Sequence, residues 1–253
     1  MNPLNAIVRH RPVTAPALRL VCFPHAGGTA GFFRGWSRHL APDVELLAVQ
    51  YPGRETRFTE PLVPRMAELA DSLAGPLAAL DPVPTVFLGH SMGAAVAHET
   101  LLRLEAAGSG DVRRLCVSGR AADRPARPVP LTDEEIVEAV GALGGTSAEV
   151  WEDPDLREML LPIVRNDYHL IDAYRCDPAA PPLRAGILAL TGDADPRVTP
   201  GQARAWESRT SGPFGCRVLP GDHFYLVPHA AEVARLATAP FGLSARPGGP
   251  SAP

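Results

Sequence analysis

Lysine is absent from this sequence. All 24 basic residues are arginine, set against 28 acidic ones, for a formal net charge of −4. That balance gives no overall positive field and excludes nucleic-acid binding by bulk charge. Cysteine is scarce: Cys22, Cys116, Cys176 and Cys216 are scattered, with no C-x-x-C pair. This argues against a metal site or a disulfide framework. Three of the four lie in or beside apolar runs and read as small core residues of a reducing compartment, the cytoplasm. Long apolar runs are missing as well. None approaches the ~20 residues of a membrane span, and the opening MNPLNAIVRHRPVTAPALRL lacks the charged-then-apolar order of a secretory signal. Hydrophobic residues are plentiful, at 45% of 253, enough for one sizeable core.

Short apolar runs alternate with helical patterns. The strand candidates are LRLVCF (Leu18 to Phe23), VELLAVQ (Val44 to Gln50), TVFL (Thr85 to Leu88), RLCV (Arg114 to Val117), ILAL (Ile187 to Leu190) and CRVL (Cys216 to Leu219). Most are nearly continuous apolar stretches, as strands covered on both faces are. Helix candidates lie between them. Met66 to Leu80 has Gly75-Pro76 as a weak point, Met92 to Ala107 stops at Gly108, and Glu232 to Ala237 closes the series. The alternation predicts an α/β protein with a mostly parallel, doubly wound sheet.

One section breaks the rhythm. Residues 124–182 hold no strand candidate, but they do hold helix signals. Thr132 to Glu135 is a capping-box pattern ahead of Ile136, Val137 and Val140. Asp153-Pro154 starts a second helix, and Ile163, Val164, Tyr168, Ile171 and Tyr174 form a third apolar stripe. Prolines bracket the block. We read residues 17–243 as a single domain carrying 124–182 as a helical lid above the sheet, with 1–16 and 244–253 as mobile tails.

Between a strand and an Ala-rich helix sits Gly89-His90-Ser91-Met92-Gly93. G-x-S-x-G in that setting is a nucleophile elbow, a turn so tight that side chains at the glycines would strike neighbouring backbone. The serine needs a base, and in this architecture the order is Ser, acid, His. Of the histidines that follow, His223 sits directly after the last strand and is preferred to His169 and His229. The acid belongs after the preceding strand, where Gly192, Asp195 and Val198 fit the recurring spacing. Asp195 is therefore preferred to Asp193, although both stand in that loop. The oxyanion hole needs two backbone N–H donors. Met92 supplies one and Ala26 the other, from the H-G-G-G-like stretch Phe23-Pro24-His25-Ala26-Gly27-Gly28. His25 is a candidate for orienting that loop through a side-chain hydrogen bond. Together these residues describe an α/β-hydrolase acting on an acyl group, with no call for a metal or cofactor.

Six stretches narrow the class: FPHAGGTAGFFRGW (Phe23 to Trp36), VQYPGRETRF (Val49 to Phe58), FLGHSMGA (Phe87 to Ala94), LPIVRNDYHLIDAY (Leu161 to Tyr174), LTGDADP (Leu190 to Pro196) and GDHFYL (Gly221 to Leu226). They resemble the type II thioesterases, the free-standing editing enzymes of polyketide and nonribosomal peptide synthases. The resemblance implies that Ser91 attacks acyl thioesters on the phosphopantetheine arm of an acyl or peptidyl carrier protein. His223 would then be the base, Asp195 its support, and the helical block a lid over the acyl chamber. Phe32 and Tyr168 are candidates for substrate contact. Carrier proteins are acidic, so docking calls for a local basic patch. Arg34, Arg54 and Arg57, with Arg38, leave the same sheet edge and are its candidates. A monomer is expected. The competing readings are a general carboxylesterase, a chain-releasing thioesterase of fatty acid synthesis, and a non-enzymatic binder; the complete Ser91, Asp195 and His223 set argues against the last.

Overall fold

The structure is a computed structural model and describes residues 3–123, 130–143 and 148–240. Its strands are β1 (Ile7–Arg11), β2 (Leu18–Phe23), β3 (Val44–Val49), β4 (Thr85–His90), β5 (Val112–Ser118), β6 (Gly186–Gly192) and β7 (Phe214–Leu219). They form one sheet in the order β1-β3-β2-β4-β5-β6-β7, parallel throughout except for β1. The helices are α1 (Met66–Ala78), α2 (Met92–Ala106), α3 (Asp133–Ala142), α4 (Ala148–Glu152), α5 (Pro154–Ala173), α6 (Pro200–Arg204) and α7 (Ala230–Thr238).

The apolar runs become the strands because alternate residues serve opposite faces. Val21, Phe23, Leu47, Val49, Leu115 and Val117 enter the core shared with α1 and α2. Leu20, Cys22, Leu46, Ala48 and Cys116 enter the core shared with α7 and the 3-10 helical segment Ala30–His39. Both faces are covered, so both sets are largely apolar, and buried exceptions are paired, as Arg19 is with Glu45. A third cluster joins Ile136, Val140, Trp151, Leu161, Val164 and Tyr168 of the helical insertion to one another.

Helix ends follow their local signals. Thr132 and Glu135 form the reciprocal capping box of α3, and Asp153 caps α5 with Pro154 in its first turn. α2 closes with a Schellman arrangement: Ser109 N–H donates to Leu104 O at 2.8 Å and Gly108 N–H to Glu105 O at 3.2 Å, with Gly108 at φ +63°.

Three expectations change. Ile7–Arg11, expected in a mobile tail, is an edge strand antiparallel to β3. His10 Nε2 lies 2.7 Å from Ala30 O, and Arg11 donates to Ser37 O and Leu40 O at 3.0 Å each. The second and third helix signals of the insertion are one helix, since α5 runs through Pro162. That proline lies on the solvent face, where water can satisfy the carbonyl it leaves without an N–H. Gly75-Pro76 likewise stays inside α1. The expected C-terminal tail 244–253 and residues 124–129 at the start of the expected insertion lie outside the described residues.

The strand order places the site. The chain leaves β2 towards β3 on one side and returns to β4 on the other, so the loops after β2 and β4 diverge. Such a switch point opens a crevice at the carboxyl edge of the sheet.

Candidate active site

Ser91 stands at the start of α2 with φ 55° and ψ −114°, a conformation side chains rarely adopt and one that costs on the order of 1–3 kcal/mol. The two flanking glycines make the turn possible. A Cβ on Gly89 would lie 2.2 Å from Gly93 O, and one on Gly93 would lie 2.0 Å from Phe23 O. His223 Nε2 is 3.0 Å from Ser91 Oγ, and His223 Nδ1 is 3.0 and 3.1 Å from the two Asp195 oxygens. Asp195 is in turn held by the Arg197 N–H at 2.8 Å.

The structure places the two aspartates differently. Asp195 meets the imidazole, while Asp193 Oδ1 accepts the Gly221 N–H at 2.8 Å. Ala194 N–H also donates to Gly221 O, at 3.0 Å. Asp193 therefore ties the end of β6 to the loop that carries His223.

The loop after β2 is fixed from several directions. Gly28 N–H donates to His25 O at 2.9 Å. Peptide planarity then points the Ala26 N–H away from that turn, because the C=O and N–H of one trans peptide are opposed. Tyr51 Oη donates to Pro24 O at 3.1 Å, and Gly27 N–H donates to Asp167 Oδ2 at 2.8 Å. Met92 is the first residue of α2, so its N–H has no partner within the helix.

His25, Ala26, Phe32, Ser91, Tyr168 and His223 border a common cavity of about 310 Å³. The helices between β5 and β6 supply its larger apolar side chains, through Val140, Leu143, Trp151, Leu160, Val164 and Ile171. The structure thus gathers Ser91, His223, Asp195, Ala26, His25, Phe32 and Tyr168 at one place. Met92 adjoins Ser91, with its side chain buried in the core.

Some expectations fail on burial. Arg54 and Arg57, expected at a docking surface, are only 4% and 8% exposed. Arg54 forms a two-pronged ion pair with Asp167, at 2.6 and 2.9 Å. Arg57 donates to Gln50 O at 2.8 Å and to both Glu60 oxygens, at 3.0 and 2.5 Å. Only Arg34, with Arg38, stays on the surface. His25 packs against aromatic rings instead of making the expected side-chain hydrogen bond. Its ring stands edge-on to Phe32 and Phe224 at 4.8 and 4.9 Å and makes no hydrogen bond among the described residues.

Sequence reading missed the support beneath His223. His90 packs 5.0 Å from the His223 ring, with Gly119 (φ +60°) wedged so closely that a Cβ would lie 2.7 Å from His90. His90 Nδ1 is 2.9 Å from Ser118 Oγ, which is 2.7 Å from Tyr225 Oη. Burial, then the neighbouring His223 charge, pushes the His90 pKa well below the usual range. The same two causes lower His25 to about 4. Both rings are therefore neutral at pH 7, and an imidazolium forming on His223 faces no second cation from them. No cysteine competes as nucleophile: burial raises all four thiols, Cys116 to about 12.

Among the described residues no cluster of side chains could hold a metal ion, and no helix is long and apolar enough to cross a membrane. The arrangement can perform nucleophilic acyl transfer in a partly enclosed chamber.

The family model for the thioesterase domain matches residues 18–239. The chain is 45% identical over 228 residues to the probable cadicidin biosynthesis thioesterase of Streptomyces griseus. The match takes in 89% of this chain and 63% of the relative, so it spans less than two thirds of that protein. It is 40% identical over 237 residues to thioesterase PikA5 of Streptomyces venezuelae, across 89% and 83% of the two chains. Among solved structures, the type II thioesterase BorB from the borrelidin biosynthetic cluster superposes with a TM-score of 0.82 at 43% identity, covering 91% of this chain and 95% of that one. The mostly parallel seven-stranded sheet with flanking helices is the α/β-hydrolase fold of these proteins.

Proposed function

This chain belongs to the thioesterase family, and from that premise we propose that it is a type II thioesterase. In this reading it hydrolyses acyl groups from the phosphopantetheine arm of carrier proteins, clearing stalled or aberrant units from a polyketide or nonribosomal peptide synthase. The observation that carries the chemistry is the hydrogen-bond chain Ser91–His223–Asp195 opening into the chamber. The biosynthetic thioesterases it resembles support the substrate class.

Ser91 Oγ attacks the thioester carbonyl while His223 Nε2 takes its proton. Asp195 holds the Nδ1–H and stabilises the imidazolium. The carbonyl oxygen becomes an anion held by the Ala26 and Met92 N–H groups, each worth roughly 10²–10³ in rate. The positive end of α2 adds to that field. Collapse breaks the C–S bond, and His223 returns the proton to the departing thiolate. A water, deprotonated by the same imidazole, then releases the acid from the acyl-serine. The insertion is the lid, and its apolar side chains take the acyl group.

The test is hydrolysis of a short acyl group on a phosphopantetheinylated carrier protein. The controls carry the same acyl group on a small thiol and as an oxygen ester, with the Ser91→Ala variant alongside. Carrier turnover that disappears in Ser91→Ala is the expected result. Fast oxygen-ester turnover with an untouched carrier thioester would overturn the assignment.

A further inference from the structure

The buried pair Arg54–Asp167 is unexplained by the chemistry so far. Arg54 lies in the loop after β3 and Asp167 in α5, and both side chains are almost fully withdrawn from water. Burial opposes the guanidinium charge, but the Asp167 carboxylate outweighs it and raises the Arg54 pKa. A buried pair of this kind is a weak source of stability, since the loss of hydration offsets most of the attraction. Its hydrogen bonds point to a different role. Besides binding Arg54 at two points, Asp167 Oδ2 accepts the Gly27 N–H at 2.8 Å. Arg54 Nη1 donates to Gly28 O at 3.2 Å. The pair thus grips the loop on both sides of the Gly27–Gly28 peptide, immediately after Ala26. One turn earlier in α5, Val164 presses on the same loop: a Cβ on Gly27, at φ +75°, would lie 2.9 Å from Val164 Cγ2.

We propose that Asp167 and Arg54 are positioning residues for the hydrolysis, clamping the loop after β2 so that the Ala26 N–H is set for the oxyanion before substrate arrives. This rests on the assignment of Ser91 as nucleophile. The lid is then of two kinds. α3 and α4 only cover the chamber, whereas α5 is part of the anion site's frame. The rate advantage comes from preorganisation, so its loss falls on kcat and spares substrate binding.

Two uncharged double variants separate positioning from stability. Arg54→Met with Asp167→Leu removes every acceptor for the Gly27 N–H. Arg54→Met with Asp167→Asn keeps a carbonyl oxygen there without a buried charge. Each is assayed for thioester hydrolysis, for melting temperature, and for the rate at which a fluorophosphonate labels Ser91, a reaction that puts an oxygen anion in the same hole. We expect the Leu variant to lose about 10²-fold in kcat and in labelling rate, with KM within about twofold. The Asn variant should stay within about tenfold of the parent on both rates. Equal rates in the two variants, or a loss confined to KM, would overturn the clamp.

If either variant does not fold, Gly27→Ala, alone and with Val164→Ala, poses the question from the loop side. A fall in kcat that Val164→Ala partly restores supports the clamp, and an unchanged kcat overturns it. Parent protein that labels at Ser91 but leaves thioesters intact removes the substrate assignment and leaves the clamp standing. Parent protein that does not label at all removes both.

Discussion

Asp193 and Asp195 leave β6 two residues apart, yet one holds a backbone N–H and the other an imidazole. Their variants should therefore separate. Asp195→Asn presents an amide to His223 in place of an acceptor pair, and steady-state assays should find kcat lowered about 10³–10⁴-fold. Asp193→Ala leaves the imidazole its partner and loses one bond to Gly221. Urea titration should find about 1 kcal/mol less stability, with kcat reduced less than about tenfold. At Gly93 the neighbour is backbone, which cannot step aside: a Cβ would lie 2.0 Å from Phe23 O and 2.5 Å from Pro24 O. Gly93→Ala should cost more than about 4 kcal/mol and yield little soluble protein on expression. The meeting of Ser91, Asp195 and His223 was legible because each sits in a short pattern directly after a strand, and those loops gather at one edge of the sheet. That of Arg54 and Asp167 was not. They are 113 residues apart, and a charged residue in a loop and another in a helix look like surface charge until the fold buries them together.

At the scale of elements, periodicity identified what has two apolar faces or a cap. β2 to β7 and α2 were visible in this way, and the capping box of α3 formed as its residues predict. β1 was invisible because an edge strand is meant to be polar: Ile7–Arg11 carries three basic residues and pairs on one side only. α5 was divided in two because its signals come separately, a helix start at Asp153-Pro154 and an apolar stripe from Ile163; Pro162, on the solvent face between them, does not end the helix. The chamber wall contributed by α4 has one large side chain, Trp151. Trp151→Ala should enlarge the chamber and move the preferred acyl length upward in a chain-length series. Turnover of the shortest substrates should change by less than about threefold.

Across the whole molecule, buried neutral histidines link folding to pH. His90 and His98 are almost fully withdrawn from water, His90 beside His25, His223 and Ser118 and His98 beside Trp206, Cys176 and Glu99. Burial is the first cause of their lowered pKa values, with His98 brought from 6.5 to about 4. The unfolded chain takes up protons on these rings below about pH 6.5 while the folded chain does not, so the folded state loses ground as pH falls. For His98 alone the full effect is about 3 kcal/mol, complete near pH 4 where the folded ring begins to titrate. Urea midpoints measured from pH 7.5 to 4.5 should fall steadily, and His98→Gln should flatten the lower part of that curve. The double duty of α5 also bears on how such enzymes diversify. A recombination event that exchanges α3 and α4 and rejoins the chain before Val164 imports a new ceiling and leaves the hydrolytic centre with its native frame. One that carries Asp167 across must bring a matching arginine from a segment encoded more than a hundred codons upstream. Substrate range can thus be inherited piecemeal, while the clamp passes between lineages only as a linked pair.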